Sequence, residues 1–157
     1  MGFLNSINII GSGLTAQQLR LDIVAENVTN SQTTRVENGE GAYRRKLVVF
    51  EAVSGKDSFR DAMAKAANGL IPNTATGVLP NAGGVRVTEI MEDQSPMKIV
   101  YDPTHPDADE DGYLEMPNVD MVKEIADAMA ASRAFASNVT AFNTLKTVIS
   151  SGLEIGR

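Results

Sequence analysis

Apolar residues recur every seven positions at both ends of the chain. Near the start, Ile7, Leu14, Leu21 and Val28 form one series, and Phe3, Ile10, Gln17 and Val24 form a second. Near the end, Met121, Ala128, Phe135, Phe142 and Ile149 repeat at the same interval, while Ile125, Val139, Leu145 and Leu153 fill adjacent positions of the same face. A seven-residue apolar repeat lays one side of a helix against a partner helix. Helices of roughly 25 and 35 residues rise about 40 and 50 Å, so each is a suitable partner for the other. The predicted fold class is mainly α with a small β module: long N- and C-terminal helices paired as an antiparallel coiled coil, with an extended middle. The predicted pairing core is Ile7, Ile10, Leu14, Leu21, Val24, Val28, Ile125, Phe135, Val139, Phe142 and Ile149.

The predicted divisions are 1–34, 35–117 and 118–157. Asn118, after Pro117, is expected to cap the second helix, with Asp120 and Glu124 near its positive end; Gly152 and Gly156 mark its end. In the middle, Tyr43–Val53, Val85–Met91 and Met97–Tyr101 are rich in β-branched and aromatic residues and read as strands. Asp57–Ala67 reads as a short helix with Phe59, Met63 and Ala66 on one side. Gly69–Gly84 is dense in Gly, Asn, Pro and Thr and reads as a loop. The segment 55–84 is treated as an insert.

Charge alters this picture. Of 14 basic and 20 acidic residues, residues 1–34 hold three (Arg20, Asp22, Glu26) and residues 128–157 hold four (Arg133, Lys146, Glu154, Arg157). A helix facing water carries Glu, Lys and Arg opposite its apolar stripe; here the backs carry Asn, Gln, Ser, Thr and Ala. With weak helix formers at Asn5, Asn8, Gly11, Ser12 and Gly13, such ends are expected to order only when neighbours pack on them. The formal charge of −6 and pI near 4.8 argue against a nucleic-acid partner, whose affinity rests on Lys and Arg replacing counterions. With no cysteine, disulfides and cysteine-ligated metals are excluded. The first 19 residues hold no Lys or Arg and many polar breaks, unlike a cleavable signal or a membrane span.

Candidate chemistry is sparse. Gly11-Ser-Gly13-Leu-Thr-Ala16 matches the G-x-G-x-x-A nucleotide fingerprint, but no second hydrophobic strand follows and the helical register runs through it; a pliant helix start is the plainer account. Asp107-Ala-Asp109-Glu-Asp111-Gly112 opens like a calcium loop, yet Asn118 stands where a bidentate Glu is needed and two prolines bar an entering helix. His105 is the single histidine and lacks a partner for catalysis. Arg44, Arg45 and Lys46 form a basic cluster on a strand.

The run Ala25-Glu-Asn27-Val28-Thr29-Asn30-Ser-Gln-Thr33-Thr34-Arg35, then Tyr43-Arg44-Arg45-Lys46, resembles the N-terminal signature of flagellar axial proteins. Asp93-Gln-Ser95-Pro96, Tyr101-Asp102-Pro103, His105-Pro106-Asp107-Ala108-Asp109, Gly112-Tyr113 and Met116-Pro117-Asn118-Val119 are similar to its proximal-rod, FlgC-like branch. Ala131-Ser-Arg133-Ala-Phe135-Ala-Ser-Asn138 resembles that family's C-terminal helix. Thr29 and Ser137 stand where the family usually has Ala.

The resemblance implies a structural, non-enzymatic subunit of the proximal rod, exported without cleavage through the flagellar export apparatus and polymerised helically in the periplasm to transmit torque. It implies no cofactor, metal, nucleic acid or small-molecule substrate, and no membrane insertion. Implied partners are copies of itself, other rod proteins and the membrane ring adaptor. The assembly residues it implies are Ala25, Asn27, Asn30, Thr33, Thr34, Arg35, Tyr43, Arg44, Arg45, Pro96, His105, Pro106, Asp107, Asn118, Arg133 and Asn138. The alternatives are a calcium-regulated binding module and a nucleotide-binding protein.

Overall fold

In the computed structural model, which describes residues 3–36, 41–53 and 83–155, helix α1 spans Phe3–Thr29 and helix α2 spans Met121–Ile155. Between them lie β1 (Lys46–Ala52), β2 (Val85–Glu92), β3 (Lys98–Tyr101) and β4 (Tyr113–Met116). The chain is mainly helical with a small β part, as its periodicities predict. The expected helix at 57–67 and most of the expected loop at 69–84 lie outside the described residues.

Helix α1 ends where short polar side chains take over its last carbonyls. Thr29 Oγ1 donates to the Ala25 carbonyl at 2.8 Å, Asn30 Nδ2 to that of Glu26 at 3.0 Å and Ser31 Oγ to that of Val28 at 2.8 Å, which satisfies groups a helix terminus leaves open. The start of α2 departs from expectation. Asp120, not Asn118, is the cap: its Oδ1 accepts from the Val122 N–H at 3.0 Å. Asn118 is spent elsewhere, accepting from the Arg45 N–H at 2.9 Å and donating to the carbonyls of Asp93 and Ser95. Along α2 the hydroxyls of Thr140, Thr144 and Thr147 each donate to the carbonyl four residues earlier. That lets a helix carry polar, uncharged residues on its back.

Strands β1 and β2 pair in one sheet. Bonds from the Val53 N–H to the Gly84 carbonyl and from the Asp93 N–H to the Arg45 carbonyl, both 2.8 Å, bracket an antiparallel ladder. Strands β3 and β4 form a second antiparallel pair with Lys98 opposite Met116 and Tyr101 opposite Tyr113. The sequence reading did not anticipate β4, which follows an acidic run. Gly112 makes the return possible: its φ is +78°, and a Cβ there would stand 3.0 Å from the Tyr101 ring and 3.1 Å from Pro103.

The chain resolves into two compact units, and both helices pass through both. One contains α1 up to Ala16, the strand residues from Phe50 and up to Arg86, and α2 from Phe135. The other contains Gln17–Val49 and Val87–Ala134. In the first, Ser12 links helix to strand, since its Oγ accepts from the Val85 N–H at 3.1 Å and donates to the Ile9 carbonyl at 2.7 Å.

The helices meet along a heptad stripe, displaced by one residue from the apolar one. In the first unit Gly13 faces Asn138, with a hypothetical Gly13 Cβ 3.0 Å from Asn138 Nδ2. In the second, Arg20 meets Asp127 and Asn27 meets Glu124, so the segments run antiparallel. Gly13, Arg20 and Asn27 precede Leu14, Leu21 and Val28 by one position each. The buried positions of α2 are Glu124 and Ala131.

This corrects part of the expected pairing core. Val24 is buried, and Ile7, Ile10, Leu14, Leu21, Val28, Phe135 and Ile149 are half-buried. Ile125, Val139 and Phe142 stand exposed in this chain. A residue after Glu124 points about 100° further round the helix, so turning Glu124 inward turns Ile125 outward.

Gly11 and Gly13 lie well inside α1, and the residues before them are helical, not a strand. No strand-to-helix phosphate turn exists there, and the glycines do not mark a helix start. Gly13 instead permits close approach of Asn138.

Candidate functional site

The most densely bonded part of the second unit is a buried polar cluster where α1, the entry to β1 and the start of α2 converge. Asn27, 1% exposed, pairs its amide with the backbone of the first residue of β1. Its Nδ2 donates to the Lys46 carbonyl at 2.9 Å and its Oδ1 accepts from the Lys46 N–H at 2.9 Å. Oδ1 also accepts from the Tyr43 hydroxyl at 2.9 Å, and Nδ2 donates to Glu124 Oε2 at 3.1 Å. Every hydrogen-bonding position of the amide is thus engaged, which is what burial of a polar group requires.

Glu124 is fully buried, and Arg45 compensates its charge by donating from Nε to Oε1 at 2.6 Å. The same guanidinium reaches Asp127 Oδ2 at 3.3 Å and lies 3.7 Å from Asp93 Oδ2. Arg20 holds the other oxygen of Asp127 at 2.8 Å. Removing one member of such a buried pair costs about 3–5 kcal/mol, whereas the intact pair adds little over well-packed apolar residues. The cluster therefore defines which elements meet more than it deepens stability.

Burial pushes the Tyr43 hydroxyl up to about 12, helped by the negative charges of Glu26, Glu124 and Glu92. Asp93 is held below the usual carboxylate range, first by the Ser95 hydroxyl and backbone N–H and further by Arg45. Asp102 is lowered in the same way by the hydroxyl and N–H of Thr104. Lys46 reaches Glu26 Oε1 at 2.5 Å and lies 5.7 Å from the Tyr43 ring centre.

The remaining residues singled out from the sequence divide into groups. Thr34 and Arg35 bind the two oxygens of Asp107, at 2.8 and 2.9 Å, while the His105 Nδ1 accepts from the Asp107 N–H at 3.2 Å. That carboxylate is thus spent on a loop contact. Thr33 Oγ1 donates to Asn30 Oδ1 at 3.2 Å, and the Tyr43 N–H donates to the Thr33 carbonyl. Arg44 is half-buried in a groove shared with Glu26, Asn30 and Glu92. Ala25, Pro96, Pro106 and Arg133 are exposed, and Asn138 is half-buried against Gly13.

Sequence reasoning missed Glu124, Asp127 and Asp93 as members of the cluster. Glu124 reads locally as a favourable charge at a helix start; only its seven-residue distance from Ala131, on the buried side, hints otherwise. Among the described residues no three His, Cys, Asp or Glu side chains group to hold a metal ion, and no helix is long and apolar enough to cross a membrane.

Two family models match the chain: Flagella basal body rod protein over residues 7–35, and Flagellar basal body rod FlgEFG protein C-terminal over residues 110–155. The flagellar basal-body rod protein FlgC of Bacillus subtilis (strain 168) is 42% identical, with all of both chains covered. The protein of that name from Borreliella burgdorferi is 38% identical over 99% of this chain and 98% of its own. That from Escherichia coli O6:H1 is 38% identical over the whole of both.

Proposed function

Since the chain belongs to the FlgC family of flagellar basal-body rod proteins, we propose that it is a structural subunit of the proximal rod, polymerising helically to transmit torque and performing no catalysis. The observation that carries this reading is the full-length kinship to proteins named flagellar basal-body rod protein FlgC, joined to a buried cluster that fixes how the helices and strands meet.

In this reading α1 and α2 pair as a coiled coil within each subunit. Their uncharged backs, with the exposed Ile125, Val139 and Phe142, meet other copies and other rod proteins. The chain passes through the export apparatus and assembles in the periplasm against the membrane ring adaptor. The assembly role falls first to Asn27, Tyr43, Arg45 and Asn118, which fix how the helices and strands join, and next to Asn30, Thr33, Thr34, Arg35, His105 and Asp107, which brace the loops.

The test is to isolate basal bodies from cells whose own copy is replaced by this chain, and to probe the rod for it. Recovery in the rod, with swimming lost on deletion, is the expected result; a chain that stays outside basal bodies while cells swim normally without it refutes the reading. Calcium and NAD should leave the melting temperature unmoved, since a specific ligand would raise it by mass action.

A further inference from the structure

The second unit carries two exposed apolar surfaces with opposite charge around them. On the β3–β4 hairpin, Ile99, Tyr101 and Tyr113 share one face and are 70, 64 and 50% exposed. The two tyrosine rings lie edge to face with centroids 5.3 Å apart, which gives the patch a rigid aromatic surface. On α2, Val122, Ile125 and Met129 follow one another at three- and four-residue steps and are 77, 52 and 51% exposed. That is the spacing of a helix face prepared for a partner.

The charges around the two patches are of opposite sign. From Asp109 to Glu115 the exposed charged residues are Asp109, Glu110, Asp111 and Glu115, all acidic. From Val122 to Arg133 the exposed charged residues of α2 are Lys123 and Arg133, both basic. Of the acids that α2 carries over this stretch, Glu124 is buried and Asp127 half-buried; Arg45 pairs with both and Arg20 with Asp127. Lys123 also lies 3.9 Å from Asp120 at the start of the helix, so among the described residues Arg133 is the charge at this rim that stands outside any ion pair.

We infer that the acidic-rimmed β3–β4 hairpin of one subunit docks on the basic-rimmed Val122–Ile125–Met129 face of α2 in a second copy of this chain. The inference rests on the rod-subunit reading and adds to it a partner and a pair of surfaces. Because the two surfaces differ, the contact is head-to-tail: each copy offers a hairpin to one neighbour and a helix face to another. Contacts of that kind propagate into open helical assemblies, whereas a self-complementary patch stops at a dimer. The apolar residues supply adhesion and the rims supply orientation.

The absence of cysteine from the chain makes the test clean. Tyr113→Cys and Ile125→Cys are placed in separate copies, co-expressed in cells lacking the native copy, and oxidised in isolated basal bodies. The expected product is a disulfide dimer from the mixture and none from either variant alone. Dimers from one variant alone, links to a different rod protein, or no link despite incorporation would overturn the inference while leaving rod membership intact. Absence of the unsubstituted chain from basal bodies would overturn both.

Should the cysteine variants fail to incorporate, charge reversal decides. Glu115→Lys and Arg133→Glu should each weaken assembly by up to about fivefold, the worth of an exposed pair, and the double reversal should recover it. Single variants without effect, or a double variant no better than the singles, refute the docking.

Discussion

Replacing Asn27 by Ala tests the buried cluster at its centre. The change deletes four hydrogen bonds: two with the Lys46 backbone, one from the Tyr43 hydroxyl and one to Glu124. Each buried polar group left without a partner costs about 1–3 kcal/mol. The losses do not add fully, because Glu124 keeps Arg45 on its other oxygen. A net loss of about 3–5 kcal/mol follows, the cost expected for breaking a buried polar pair. With a urea slope of about 1–3 kcal/mol per molar, the unfolding midpoint followed by circular dichroism should fall by about 2 M. Exchange of the Lys46 amide, whose acceptor is Asn27 Oδ1, should accelerate more than that of the Val53 amide. Asn30→Ala is the control. It loses bonds within its own turn, to the Glu26 carbonyl and from Thr33, worth about 1 kcal/mol. If Asn27→Ala stays within about 1 kcal/mol of the parent, or matches Asn30→Ala, the claim that this amide joins α1 to β1 and α2 is wrong.

Other consequences follow from the same geometry. Because the Tyr43 hydroxyl is raised from 10.0 to about 12 in the folded chain, its contribution is complete below pH 10 and is lost as pH rises toward 12; alkaline unfolding titrations of the parent should show this loss, and those of Tyr43→Phe should lack it. Gly11, with nothing within 4 Å of a hypothetical Cβ, should accept Ala with a gain of about 0.5–1 kcal/mol from helix propensity, raising the melting temperature by a few degrees. Gly13→Val should lower it, because the new side chain meets Asn138. In the purified chain, amides of 17–29 and 121–134 should exchange more slowly than those of 139–153, where Val139, Phe142, Val148 and Leu153 are exposed and few contacts resist opening.

The helices, β1, β2 and β3 were legible in the residues because each is announced by a local pattern: heptads at the ends, β-branched and aromatic runs in the middle. The twelve-residue signature from Tyr101 to Gly112 was legible only as resemblance; the chain's closing strand β4 was not, because Tyr113–Met116 extends by pairing with β3 and by the left-handed turn at Gly112. The cap of α2 fell two residues later than expected, since Asn118 has three bonding partners elsewhere and Asp120 directs a carboxylate oxygen at the Val122 N–H.

The sequence by itself therefore determined that this is a chain of the rod family with a long helix at each end and few charges on the helix backs. Only the tertiary structure decided which side of each helix is inside. The apolar series of Leu14, Leu21 and Val28 and the adjacent series of Gly13, Arg20 and Asn27 are equally periodic, and periodicity alone favours the apolar one. The buried side of α1, formed by Ala16, Ile23, Val24 and Asn27, mixes apolar and polar residues, and its polar end is fixed where Glu124 finds Arg45, 79 positions away in sequence, and Asn27 finds the Lys46 backbone. A buried charge is tolerated only where a distant partner is brought to it, and no local pattern records where that partner will be.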